Sequence, residues 1–202
     1  MRRYKLIGIA LCAGVLALCG GRADAEQFSA RLDGFQELGA LNNQTGAVLS
    51  NATGTLELNL DENSGKATWT LTYSNVGTTP PLTGTVTQAH IHFGKARDSG
   101  GILVFFCTNL TPPPVGAPLP KPCPSPSGTV TGTWTSADIV AIAGQNVRAL
   151  DFDALTDALS SNTAYANIHT TALGAGEIRG QIHEGDLDKK HDHHDNDHHD
   201  HR

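Results

Sequence analysis

Alternation of apolar and polar residues with a period of two is the feature that most constrains how this sequence can fold. Leu56, Leu58 and Leu60 alternate with polar neighbours, and the same pattern recurs in residues 28–32 and 67–73. Such a period places every second side chain on the same face of a β-strand, whereas a helix would scatter these side chains around its circumference. Residues 61–65 read DENSG, a turn sequence between two such runs. The pattern therefore predicts antiparallel hairpins that each bury one face.

Further strands are predicted where short apolar or alternating runs lie between turn signals, at 84–93, 101–107, 129–134, 163–169 and 177–183. Residues 102–106 read ILVFF, which is apolar on both faces and indicates a central, buried strand. Charged residues make up only 17% of the chain, against roughly 25% in typical soluble domains. About eight short strands predict an all-β fold, an antiparallel β-sandwich or barrel with Greek-key-like connections.

One or two short helices are expected in the connections of this fold. Residues 135–138 resemble a capping signature ahead of an apolar stretch, and they predict the first helix. Asp151 is placed to cap a second helix that buries Phe152, Leu155 and Leu159. Both helices are expected to cover an end of the sheet structure.

The first 25 residues have the organisation of a signal peptide. A basic start precedes the apolar run from Leu6 to Cys19, and Ala23 and Ala25 supply small residues for cleavage after Ala25. A membrane anchor is the alternative, but the run is shorter than the ~20 residues that span a bilayer. We therefore expect a protein that is exported to the periplasm or secreted, with no membrane span in the mature chain.

Export bears on the two cysteines that remain after cleavage, Cys107 and Cys123. They flank a proline-rich segment, and an oxidising compartment favours a disulfide between them. A cysteine-based metal site is the alternative, but no second cysteine pair lies nearby. We therefore expect residues 26–185 to form one disulfide-bonded domain.

The last segment, 186–202, consists almost entirely of aspartate, histidine and basic residues. Its single apolar residue cannot offset the entropy of folding, so the segment is predicted to be a disordered tail. The interleaving of histidine with aspartate favours a native tail over a purification tag. One interpretation is that the tail binds transition-metal ions weakly through the imidazoles of His191, His193, His194, His198, His199 and His201. The alternative is that it serves only as a solvating acidic extension.

The four histidines that precede this tail lie in two motifs, AHIHFG at 89–94 and ANIHTTALGAGEIRGQIH at 166–183. Strand parity places His90 and His92 on one face, and pairing His169 opposite Glu177 gives a second polar face. If these strands are neighbours, His90, His92 and His169 converge. Three imidazoles on rigid strands form a plausible Cu or Zn ligand set, with Glu177 or a water as the fourth ligand. The alternative is that His-x-His simply lies on a solvated strand.

Composition and motifs exclude several other classes of function. A net charge of −6 argues against nucleic acid as a partner, because phosphate binding requires clustered basic residues. No nucleophile triad, phosphate-binding loop or dinucleotide fingerprint occurs, so no catalytic residue and no organic cofactor are predicted.

Together the two histidine motifs, GGILVFF, and the opening FSARLDGFQE resemble the CHRD domain family, named for chordin. The resemblance covers about residues 27–184 and implies the same β-fold and an extracellular interaction module. A looser resemblance links His90 and His92 to the His-x-His strand of copper–zinc superoxide dismutases. A convincing bridging histidine and a zinc loop are missing, which argues against redox catalysis.

Three hypotheses of function follow from the sequence. The leading one is an exported, non-enzymatic binding module that holds Cu or Zn through its sheet histidines and tail. The second is an extracellular module that binds a protein partner without metal. The third is a copper enzyme similar to superoxide dismutase.

Overall fold

The computed structural model describes residues 25–38, 46–114 and 121–187. Within them the chain forms nine β-strands and one α-helix, so the all-β prediction is confirmed. The strands are β1 (Glu26–Asp33), β2 (Thr53–Asp61), β3 (Lys66–Ser74), β4 (Val86–Phe93), β5 (Gly101–Thr108), β6 (Gly128–Trp134), β7 (Ala164–Thr170), β8 (Ile178–Gln181) and β9 (His183–Glu184); the helix α1 is Phe152–Ser160.

These strands form a single antiparallel sheet in the order β5-β4-β7-β8-β1-β2-β3-β6, with β9 paired to β1. The two ends of this order approach each other, since the indole Nε1 of Trp134 on β6 donates to the carbonyl of Phe105 on β5 at 2.9 Å. The sheet is therefore a nearly closed barrel, which decides between the two architectures that the sequence allowed.

Alternating residues fill the interior of the barrel. Leu58 on β2 lies opposite Trp69 on β3, and both are buried, as is the next inward residue of β3, Leu71. Burying a side chain of this size contributes about 1.5–3 kcal/mol to folding. Trp69 packs against Phe106 and Trp134 at ring-centroid distances of 4.9 Å. The buried residues of the core therefore confirm the strands that the apolar–polar alternation predicted.

The strand formed by ILVFF is buried on both faces, but it is not central. β5 lies at one end of the strand order. Its inward side chain Phe106 joins the aromatic cluster of the core, while Phe105 packs edge-on against His90 at 5.3 Å on the other side of the sheet. An end strand can be buried on both faces here for two reasons. The barrel closes towards β6 on one side, and the His90 side chain packs against Phe105 on the outer face.

Only one of the two predicted helices forms. α1 buries Leu155 and Leu159 as predicted, whereas Phe152 is only partly buried. Asp151 lies at the N-cap position, but its side chain forms no capping hydrogen bond. The helix predicted after residue 135 is wrong: Ser136–Asp138 is a single 3₁₀ turn, and extended backbone follows it. Thr135 N–H and the Asp138 carboxylate do form the capping contact, at 2.8 Å. The chain then leaves the helical path because Val140 N–H donates to Leu103 of β5 at 2.9 Å.

A disulfide joins Cys107 at the end of β5 to Cys123, sixteen residues further along the chain. Residues 1–24 of the predicted signal peptide lie outside the described residues, as does every histidine of the predicted tail. Within the described ranges no helix is both long and apolar enough to cross a membrane.

Candidate metal centre

Two neighbouring strands bring three histidines together on the outer face of the barrel. His90 and His92 lie on β4, and His169 lies on β7, which pairs with β4. One ring nitrogen from each lies within 4.8 Å of the other two. The ring centroids of His90 are 4.5 Å from His92 and 4.4 Å from His169. The predicted convergence of these three side chains is therefore present in the structure, and we call them the histidine cluster.

Backbone carbonyls from two connections orient two of the three rings. Nδ1 of His92 lies 2.7 Å from the Gly100 carbonyl oxygen, and Nδ1 of His169 lies 3.1 Å from that of Gly174. A carbonyl only accepts, so each Nδ1 carries the proton. The lone pair of each neutral ring is then on Nε2. Metal-binding histidines in proteins are commonly oriented in this way.

The nitrogens that remain are buried without a partner. Nε2 of His92, Nε2 of His169 and both nitrogens of His90 form no hydrogen bond with any described residue. A buried polar atom left unsatisfied costs about 1–3 kcal/mol. Four such atoms at one place are unusual in a folded protein, and they make the histidine cluster a candidate binding site.

The same burial keeps the three imidazoles neutral. Desolvation lowers the pKa of His92 and of His169 to about 4, and repulsion between the rings adds to the effect at His169. For His90, which is 1% exposed, desolvation and its two neighbours lower the pKa well below 6.5. At neutral pH the cluster therefore presents uncharged rings, the form that binds metal ions.

An aromatic ring and a cation flank one side of the cluster. Tyr165 stacks on His92 with ring centroids 4.7 Å apart and planes 7° from parallel. The guanidinium of Arg179 lies 3.4 Å from the centroid of the Tyr165 ring and donates to the Lys95 carbonyl at 3.1 Å. Stacking on Tyr165 restricts the His92 ring, and the nearby cation further disfavours its protonation.

Glu177, the predicted fourth ligand, is not part of the cluster. Its fully buried carboxylate accepts hydrogen bonds from the hydroxyl of Ser50 at 2.8 Å, the hydroxyl of Thr83 and the backbone N–H of Gly77 at 3.1 Å. These donors come from two other connections of the barrel. The β7–β8 register places Glu177 beside His169 as predicted, but these donors hold its carboxylate, which is not among the ligand atoms that lie within 4.8 Å of one another. Metal binding by Glu177 stays a prediction that this geometry does not support.

A cavity of about 260 Å³ adjoins the histidine cluster. Besides the three imidazoles, its walls include Gln88, Tyr165, Asn167 and Arg179. The cavity leaves room for a water or another small molecule beside an ion bound by three nitrogens. The alternative fourth ligand of the sequence prediction, a water, is thus compatible with the space available.

His183 and the histidines of the tail stand apart from this arrangement. His183 lies on β9, where its Nδ1 contacts the Asn162 side-chain oxygen at 3.2 Å. The six tail histidines, from His191 to His201, are outside the described residues, and metal binding by them stays a prediction.

Several residues that shape the site were not identified from the sequence. Gln88 is on the same face of β4 as His90 and His92, and Tyr165 is on the same face of β7 as His169, so strand parity could have indicated both. The carbonyls of Gly100 and Gly174 could not have been found in this way, because backbone groups of connections carry no residue-specific signal.

Taken together, the fold and the site define an antiparallel β-barrel with a buried histidine cluster on its outer face. A family model described as CHRD domain matches residues 28–182, and the chain belongs to that family. The match contains the whole first histidine motif and all of the second except its last residue, His183. Membership suggests an extracellular or periplasmic module. No curated protein and no solved structure matches the chain.

Proposed function

We propose that this protein is an exported, non-enzymatic module that binds one transition-metal ion, Cu or Zn, through His90, His92 and His169. The observation that carries the proposal is the set of buried ring nitrogens that have no partner among the described residues. Storage, buffering or delivery of the ion is the role that such a module would serve.

The chemistry of the donors supports this choice of metal. Imidazole nitrogen is a preferred ligand of Cu and Zn, whereas Ca and Mg prefer oxygen. A metal–nitrogen distance of about 2.0–2.1 Å brings tetrahedral ligands to about 3.4 Å from one another. The present spacing of up to 4.8 Å would therefore contract by up to about 1.4 Å on binding. An ion with three nitrogen ligands keeps a fourth position, which the adjoining cavity leaves accessible.

The metal-free interaction module is less well supported at this site. If the histidines served the fold alone, their polar atoms would pair with neighbours, as the side chain of Asn167 does with Glu37 and with the Ile178 carbonyl. The ring nitrogens of the cluster have no such partners. Family membership leaves room for a protein partner elsewhere on the surface.

Metal analysis of the full chain tests the proposal, provided that the tail histidines can no longer bind metal. We expect a chain with all six tail histidines replaced by alanine to bind one Cu or Zn ion per molecule tightly. In that background, His90→Ala should abolish the tight site, because two imidazoles remain.

His183→Ala in the same background is the matched control, since it removes a histidine outside the cluster. It should retain the ion, and circular dichroism should show that all the variants are folded. Equal metal content in the His90→Ala and control chains would contradict the proposal.

A further inference from the structure

One ring of the histidine cluster, His90, has an N–H group for which no acceptor is found among the described residues. His92 and His169 use their N–H groups on backbone carbonyls, so only their lone pairs face the cluster. His90 differs because neither of its nitrogens has a partner among the described residues. A neutral imidazole carries one N–H and one lone pair. If a metal takes the lone pair of each ring, the N–H of His90 remains, and it needs an acceptor.

The cavity beside the cluster is also lined by a buried acceptor that has no donor among the described residues. Oε1 of Gln88 is buried and has no hydrogen-bond partner in the described part of the chain. Gln88 lines the cavity together with the three histidines and lies directly opposite His169. The two imidazoles that already use their N–H groups cannot donate to it. His90 is therefore the ring that can.

Position on the strand makes this contact attainable. Gln88 and His90 are two residues apart on one face of β4, which separates their Cα atoms by roughly 6.6 Å. A glutamine side chain spans such a gap, and rotation about its own bonds brings the amide oxygen towards the ring.

We propose that Gln88 is the positioning residue of His90: in the metal-loaded site, its Oε1 accepts the free N–H of the His90 ring and so aims the other nitrogen at the ion. This inference rests on the proposed metal binding. It gives each of the three imidazoles one anchoring acceptor, two from backbone carbonyls and one from a side chain. Partners of this kind fix the tautomer and the orientation of a ligand ring.

Replacing the acceptor tests this role, in the full chain with its tail histidines changed to alanine. Gln88→Leu should leave one ion per chain but weaken its binding about 10- to 100-fold in competition with a chelator, the usual effect of losing such a partner. Gln88→Glu keeps an acceptor and should regain most of the affinity. Gln27→Leu, on the exposed start of β1, is the matched control and should bind like the parent chain.

Nuclear magnetic resonance of the zinc-loaded, ¹⁵N-labelled chain supplies a second readout. The ring N–H of His90 should give a signal protected from exchange with water, and Gln88→Leu should remove the protection. An unchanged affinity in Gln88→Leu would overturn the inference and leave the metal site standing. If the copper electron paramagnetic resonance spectrum of Gln88→Leu reported one ligand fewer than that of the parent chain, Gln88 would be a direct ligand. That result would also overturn the inference that Gln88 positions His90. If the parent chain lacks a tight site, the proposed function fails and takes this inference with it.

Discussion

At the scale of single residues, the histidine cluster is a set of bases whose charge the fold suppresses. His90 and His169 are 1% and 4% exposed, and Arg179 adds a positive charge near His92. Any proton that enters the cluster therefore has little water to solvate it and a cation nearby. Burial extends the neutral state to pH values well below 6.5, where an exposed histidine would be protonated.

Acid should destabilise the metal-free protein through these residues. Between pH 6.5 and about 4 the unfolded chain binds protons that the folded cluster excludes, so the free energy of unfolding decreases as the pH falls. For His169 alone the loss below pH 4 is on the order of 3 kcal/mol. Chemical denaturation at a series of pH values, with a chelator present, should show that His169→Gln has a shallower slope than the parent chain.

The exposed variant Gln27→Leu separates this effect from general acid sensitivity. It should keep the slope of the parent chain, because a glutamine side chain does not titrate. A slope that His169→Gln leaves unchanged would contradict the assignment of the pH dependence to this residue.

Residue identity and strand parity predicted which histidines meet on the condition that β4 and β7 are neighbours, and the structure supplies that condition. His90 and His92 share a face because they are two residues apart, and His169 joins them once β4 and β7 pair. Parity could not predict the fate of Glu177, since a side chain on the expected face can still turn towards donors in another connection. Here Ser50, Gly77 and Thr83 are such donors, and they lie far from Glu177 in the sequence.

At the scale of elements, the strands supply the imidazoles and the connections aim them. Gly100 lies in the connection from β4 to β5, and Gly174 lies in the turn from β7 to β8. Both carbonyls accept from ring N–H groups, so the precision of the site depends on how these connections are held. Glu177 ends the second connection and binds donors from two others.

Glu177→Gln should weaken this junction without removing the metal site. The amide offers one acceptor oxygen in place of two, and its NH₂ group faces donors, so the free energy of unfolding should fall by about 1–3 kcal/mol. Denaturant titration measures the loss, and metal analysis should still find one ion per chain.

Glu57→Gln serves as the comparison, because Glu57 is exposed on β2, and its effect should stay within about 0.5 kcal/mol. If Glu177→Gln removed the ion while stability stayed the same, the structural role assigned to this carboxylate would be wrong.

At the scale of the whole molecule, the barrel holds the cluster on strands that are themselves anchored in the core. Ile91 lies between His90 and His92 on β4, and Ile168 precedes His169 on β7; both isoleucines are fully buried. The folded barrel therefore holds the three imidazoles together, which the unfolded chain does not. Metal binding and folding should be coupled for this reason.

Binding to the folded state should raise the stability of the whole chain. At a free ion concentration of about 100 times the dissociation constant, the gain is about 2.7 kcal/mol. In the chain with tail histidines replaced, thermal unfolding with and without Zn should show this stabilisation. His92→Ala should abolish the gain, whereas His183→Ala should preserve it; a gain of the same size in both would place the stabilising ion elsewhere.

By itself, the sequence determined the all-β class, most of the strands, the shared face of His90 and His92 and the family resemblance, because all of these depend on local periodicity or short motifs. Tertiary structure decided the pairing of β4 with β7 that brings His169 to the other two histidines, the closure of the barrel, the extended path after Asp138, the turn of Glu177 away from the cluster and the approach of Gln88 to it. The physical reason is that hydrogen bonds between distant segments settle these features: Trp134 reaches Phe105, Val140 reaches Leu103, and Glu177 reaches Ser50. Such partners have no fixed spacing along the chain, so no local pattern predicts them.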